Sequence, residues 1–152
     1  MAKYFLFLYI LFINFSFVNA EIIKSISVAG NERISKNTII VFSGINIGDD
    51  LKFNDLNNIT NNLYETDFFK DVSVELKNNI LKVNVIENSI IKSVEINGVK
   101  NKKLKKTLID QLTLIEKKSY VEEKSNNEVL KLSNFLKVSG YYFSKVNLNV
   151  QE

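Results

Sequence analysis

The chain has 152 residues, 20 of them Lys or Arg and 17 Asp or Glu, with no His, Cys, Pro or Trp. Without His or Cys there is no zinc finger, no thiol nucleophile, no Ser-His-Asp triad and no disulfide framework. Hydrophobic and charged fractions of 45% and 24% are those of an ordinary folded chain, and a net charge of +3 is too small to point to nucleic acid.

The first element is a targeting segment. Lys3 supplies a short positive region, and Tyr4 to Phe12 is an unbroken apolar run that extends to Val18 with only Asn14 and Ser16 interrupting. Val18-Asn19-Ala20 has the small-residue pattern of a cleavage site, with Glu21 following, so cleavage between Ala20 and Glu21 is expected. The apolar core falls short of the ~20 residues of a bilayer-spanning helix. Residues 1–20 thus read as a signal peptide, and the remainder as an exported chain held together by its core alone.

Strand-type alternation follows over residues 22–28. Ser35 then offers its hydroxyl as a helix N-cap, Ile34 and Ile39 occupy the hydrophobic-staple positions, and Gly44 ends the short helix. Gly48-Asp49-Asp50 is a turn. A second helix is predicted over residues 54–65, with Leu56, Ile59, Leu63 and Tyr64 at the spacing of one buried face and Asn57, Asn58, Asn61 and Asn62 on the solvated one. Val72, Val74 and Leu76 alternate with Ser73 and Glu75 in a half-buried strand. Asn78-Asn79 makes a tight turn, and Leu81, Val83 and Val85 alternate in the strand after it.

The chain then repeats. Ile23-Lys24-Ser25-Ile26-Ser27-Val28-Ala29-Gly30 returns as Ile91-Lys92-Ser93-Val94-Glu95-Ile96-Asn97-Gly98, an offset of 68 residues. Phe68-Phe69-Lys70-Asp71-Val72 returns as Tyr142-Phe143-Ser144-Lys145-Val146, an offset of 74. A strand over residues 90–96 leads to a helix carrying Leu104, Leu108 and Leu112. A longer helix over residues 122–139 carries Val129, Leu132 and Leu136 and stops at Gly140. Val146, Leu148 and Val150 alternate with Asn147 and Asn149 as a last strand. Two units result, 21–88 and 89–152, each opening strand–helix–helix–strand, with the final strand of the pattern missing from the second. The first unit holds seven basic and ten acidic residues and the second twelve and seven, opposite net signs that favour oriented association.

A signal peptide before tandem strand–helix–helix–strand–strand units resembles the polypeptide-transport-associated (POTRA) domains of the BamA family of outer-membrane assembly factors. The resemblance rests on Val28-Ala29-Gly30-Asn31, Arg33-Ile34-Ser35, Thr38-Ile39, Gly48-Asp49, Leu63-Tyr64-Glu65-Thr66 and Phe68-Phe69-Lys70-Asp71-Val72, then Ile96-Asn97-Gly98 and Gly140-Tyr141. It covers residues 21–152. Asp67 stands where the family usually has Gly, and Ser89 where a Pro commonly marks the boundary. The resemblance implies an α+β fold of tandem β-α-α-β-β units, helices packed on one face of a small mixed sheet, the second unit incomplete. It implies a periplasm-facing scaffold associated with the outer membrane through a barrel domain absent from this chain. Its expected partners are unfolded outer-membrane protein precursors and accessory assembly subunits.

The resemblance also implies that the strand before the final hairpin turn lies at a sheet edge: Val72, Ser73, Val74, Glu75 and Leu76, and in the second unit Lys145, Val146, Asn147, Leu148, Asn149 and Val150. Unpaired N–H and C=O groups there would accept an extended client as an added strand. Phe69 and Phe143 are expected as core anchors before these strands. Lys100, Lys102, Lys103, Lys105 and Lys106 crowd the start of a helix, where cations oppose the helix dipole, and face either solvent, anionic lipid or an acidic partner. The alternative is a membrane-anchored, cell-division-type protein with the same fold and a scaffold role. No oriented base and nucleophile, phosphate loop or spaced acidic ligand run is present, so no catalysis, cofactor or metal site is expected; Asp49 and Asp50 read as turn residues. Export and a Lys-dominated charge argue against nucleic acid.

Overall fold

The computed structural model describes residues 21–151; the targeting segment and Ala20 lie outside the described residues, and Glu21 opens the first strand. The order is β1 (Glu21–Ile22), β2 (Ser25–Ala29), α1 (Lys36–Ser43), β3 (Asp50–Leu51), α2 (Phe53–Tyr64), β4 (Phe69–Lys77), β5 (Ile80–Glu87), α3 (Lys102–Gln111) and α4 (Glu122–Val138).

The expected strand over residues 22–28 is divided. Ile23 exchanges hydrogen bonds with Asp49 and Gly48, continuing the short β1–β3 ladder, and from Ser25 the chain turns to a different neighbour, β5. The Asn78-Asn79 turn braces this change of partner. Both residues take positive φ, 54° and 62°, and Asn79 donates its side-chain amide to Ile22 O at 2.8 Å while its carbonyl accepts from Lys24 N.

β5 is the centre of the main sheet. β2 runs parallel to it and β4 antiparallel, in the order β2-β5-β4. Its alternation follows from that place: Leu81, Val83 and Val85 are buried under the helices, while Lys82 and Asn84 face away. Burial of each aliphatic contributes about 2 kcal/mol. Ile39 of α1 and Ile59 and Leu63 of α2 complete the core with Ile23, Ile26, Phe69 and Val72. Ser35 caps α1 by accepting from Thr38 N at 3.1 Å, and Gly44 closes it at φ 72°.

The C-terminal half has its own, smaller core, built on Leu108 of α3 and Leu132 and Leu136 of α4. The helices fall within a residue or two of their predicted spans, but the strands do not form. Residues 92–96 and 145–150 carry no ladder; just before the first of these, Ile90 bridges Ser119 and Ile91 exchanges backbone hydrogen bonds with Lys117 and Lys118. The second-unit edge strand expected at Lys145, Val146, Asn147, Leu148, Asn149 and Val150 is therefore corrected to an unpaired stretch. The reason is visible in the first half, where β2 and β4 pair with β5 and not with each other. Their counterparts in the second half lack that middle strand among the described residues. Phe143 is corrected with them: it is 99% exposed, whereas its counterpart Phe69 is 3% exposed.

Candidate strand-docking site

Among the described residues β4 pairs only with β5, which makes it an outer strand of the sheet. Which of its backbone groups face outward follows from the register. Lys77 and Ile80 flank a two-residue turn and so form a hydrogen-bonded pair. Counting back, Glu75–Lys82 and Ser73–Asn84 are hydrogen-bonded pairs as well, which turns the N–H and C=O of Val72, Val74 and Leu76 away from β5. The side chains divide the other way: Val72, Val74 and Leu76 pack toward the core, and Ser73 and Glu75 are exposed.

The beginning of this rim is already occupied. Tyr64, the last residue of α2, accepts the Val72 N–H at its Oη, 3.1 Å away, and the hydroxyl lies 3.2 Å from Asp71 Oδ1, to which it donates. A bulge between Phe69 and Asp71 adds local twist beside it. Tyr64 was expected on the buried face of its helix; it is 40% exposed and caps the sheet edge instead. Among the described residues the ladder left open is thus the Val72 carbonyl and both groups of Val74 and Leu76. β2, which among the described residues pairs only with β5, is a second outer strand that the sequence did not single out.

A second constellation ties the end of β5 to the loop before α1. Glu87 Oε1 accepts from the backbone N–H groups of Glu32, Arg33 and Ile34 at 2.9, 3.0 and 2.9 Å. Its Oε2 lies 2.9 Å from Arg33 Nε, and Arg33 Nη2 donates to Asn88 O at 2.6 Å. Burial pushes the Glu87 carboxyl up, but the N–H groups of Ile34, Glu32 and Arg33 and then the Arg33 guanidinium outweigh it and hold the group below its ordinary 4.5. Asn88 in turn donates to Asp67 O at 2.8 Å, and the Asp67 carboxylate pairs with Lys124 of α4. Asp67 sits at φ 63°, a conformation Gly adopts freely and Asp tolerates, which accounts for its standing in a Gly position.

The basic cluster lies where it was expected. Lys102, Lys103, Lys105 and Lys106 occupy the first turns of α3, whose N-cap Asn101 accepts from Lys103 N and Leu104 N. Asp49 acts as a turn residue, its Oδ2 accepting from Asn46 N at 2.7 Å. Among the described residues no group of three or more acidic side chains is placed to hold a metal ion, and no helix is long and apolar enough to cross a membrane.

No family model matches the chain. Individual proteins do. Over 97 residues, 64% of its length, it is 31% identical to the outer membrane protein assembly factor BamA of Neorickettsia risticii, and over 91 residues, 57% of its length, 36% identical to BamA of Neisseria meningitidis serogroup B. The matched stretch spans only 13% and 11% of those relatives. Among solved structures, the N-terminal domain of Omp85 from Thermosynechococcus elongatus superposes with a TM-score of 0.57 at 16% identity, covering 88% of this chain and 58% of that one. The first two POTRA domains of Omp85 from Anabaena superpose with a TM-score of 0.51 at 16% identity, covering 88% of each chain. In sequence the chain is thus similar to BamA over about 60% of its length, and in fold it is similar to the POTRA domains of Omp85.

Proposed function

We propose that this chain serves as a periplasm-facing scaffold and receptor segment in the assembly of outer-membrane β-barrel proteins. On this reading β4 holds unfolded precursor segments by strand addition, accessory subunits dock on the same module, and a barrel outside these residues makes the membrane association. The observation that carries it is the open ladder at Val74 and Leu76, bordered by exposed Ser73 and Glu75. Main-chain pairing there accepts many sequences, which suits precursors whose strands share alternation rather than identity. The names of the relatives, assembly factors for outer-membrane proteins, support the setting.

The test is an NMR titration of the purified chain with a seven-residue peptide of alternating apolar and polar residues. Amides of Val74 and Leu76 are expected to shift, with the Val72 amide unmoved because Tyr64 holds it. Val74→Pro removes an outward N–H and no bond to β5, so the sheet persists by circular dichroism while peptide binding is lost. Shifts scattered away from β4, or binding undiminished in Val74→Pro, would refute the site.

A further inference from the structure

Tyr64 does more to the β4 rim than occupy one of its groups. Its Oη accepts the Val72 N–H at 3.1 Å and lies 3.2 Å from Asp71 Oδ1, so it stands where a neighbouring strand would put a carbonyl oxygen. A paired strand would run about 4.8 Å from β4, through the space the hydroxyl fills. The bulge between Phe69 and Asp71 breaks the regular register just beyond it.

We infer that Tyr64 sets the polarity of the guest: the rim takes an extended segment parallel to β4, with its N-terminal end at Tyr64. This rests on the strand-addition reading of β4 and follows from which groups are left. In a parallel pair each outward residue bonds the two guest residues that flank the one beside it. The first guest residue then donates to Val72 O and accepts from Val74 N–H, the third donates to Val74 O and accepts from Leu76 N–H, and the fifth donates to Leu76 O. Every group left open among the described residues is used, and no guest group in that span is directed at Tyr64. In an antiparallel pair, opposed residues exchange both bonds. The guest residue opposite Val72 would bring its carbonyl onto the Tyr64 oxygen, whose proton goes to Asp71. That carbonyl is left facing a lone pair, and the end of the rim is lost to the guest.

Polarity in turn fixes the guest's side chains. Run parallel, its second and fourth residues stand beside Val74 and Leu76, on the face that packs toward the core, and suit aliphatics. Its third stands beside Glu75 and its fifth beside Lys77, both on the exposed face. Glu75 already faces Lys82 of β5, whereas Lys77 lies opposite Ile80 and makes no ion pair among the described residues. The matched guest therefore alternates polar and aliphatic residues and carries an acid at its fifth place.

The experiment titrates the purified chain with the capped pentapeptide Ser-Val-Thr-Val-Glu, labelled with a nitroxide at one end or the other, and reads amide line broadening. The N-terminal label is expected to broaden Asp71 and Val72 most, and the C-terminal label Lys77 and Asn78. In Tyr64→Ala, which clears the hydroxyl and the ring, the guest lies in both directions and either label broadens both ends. Without labels, exchanging the terminal Glu of the peptide for Lys weakens binding about threefold, and Lys77→Glu reverses the order. Equal or reversed broadening in the native chain, with shifts still at Val74 and Leu76, would overturn the polarity and leave the β4 reading standing; shifts elsewhere would overturn both. A preference unchanged in Tyr64→Ala would overturn the role of Tyr64, and an order unaffected by Lys77→Glu the side-chain match.

Discussion

Substituting Gly30 and Gly98 separately by alanine compares a glycine packed against the central strand with one that meets no neighbour among the described residues. Both glycines sit at φ near +80°, so each alanine carries a conformational cost of about 1–2 kcal/mol. Only Gly30 adds a steric cost. Its new methyl would lie 2.0 Å from Val85 O and 3.2 Å from Val85 C, inside any allowed contact, and backbone cannot rotate away as a flexible side chain can. β2 and β5 must move apart, a strain comparable to overpacking a core, about 2 kcal/mol. Gly30→Ala is thus expected to destabilise the first half by about 3–4 kcal/mol and Gly98→Ala the second by about 1–2 kcal/mol. Native-state amide exchange reads the two halves separately: the slowest β5 amides open roughly 30-fold more readily for each 2 kcal/mol. Equal costs for the two alanines would refute the reasoning, because φ alone would then account for both.

Phe69→Ala should cost about 3–5 kcal/mol, since its ring is buried beside Val72, and Phe143→Ala under about 0.5 kcal/mol, since its ring is in solvent; urea midpoints compare them, and a cost at Phe143 near that at Phe69 would contradict its exposure. Glu87→Gln should cost about 3 kcal/mol near neutral pH, because a nearly buried carboxylate accepts three backbone N–H groups and faces Arg33. Its folded pKa is depressed, so this contribution is complete above the ordinary value of 4.5 and is lost as pH falls through the lower folded value. The stability gap between native chain and variant should therefore be constant from pH 7 to about 5 and shrink below 4.5; a gap independent of pH would exclude the linkage.

Local signals were legible in the sequence. The Leu56, Ile59 and Leu63 spacing, the Ser35 cap and the Asn78-Asn79 turn each specify their element within a few residues of chain, and the structure keeps all three. What failed depended on a neighbour distant in sequence. Alternation at Val146, Leu148 and Val150 encodes a side-chain pattern suited to a strand, but a strand exists only beside a partner. Tyr64 fitted the apolar face of α2 by periodicity, yet at the last residue of the helix that face borders the sheet edge, where the hydroxyl found the Val72 N–H. Glu87 and Arg33 stand 54 residues apart, and nothing in either segment announces the other. Asp67 was noticed as a departure from Gly, and its positive φ gives that departure its meaning.

The short span left open by Tyr64 bears on timing. A passenger pairing with the Val72 carbonyl and both groups of Val74 and Leu76 gains about 1 kcal/mol per bond, roughly 5 kcal/mol before its own ordering is charged against it. That corresponds to a grip in the millimolar range, and with an ordinary on-rate of about 10⁶ M⁻¹s⁻¹ to a dwell of about a millisecond. One rim of this length works as a stepping stone rather than a clasp, and retention would come from several such footholds within reach of one another.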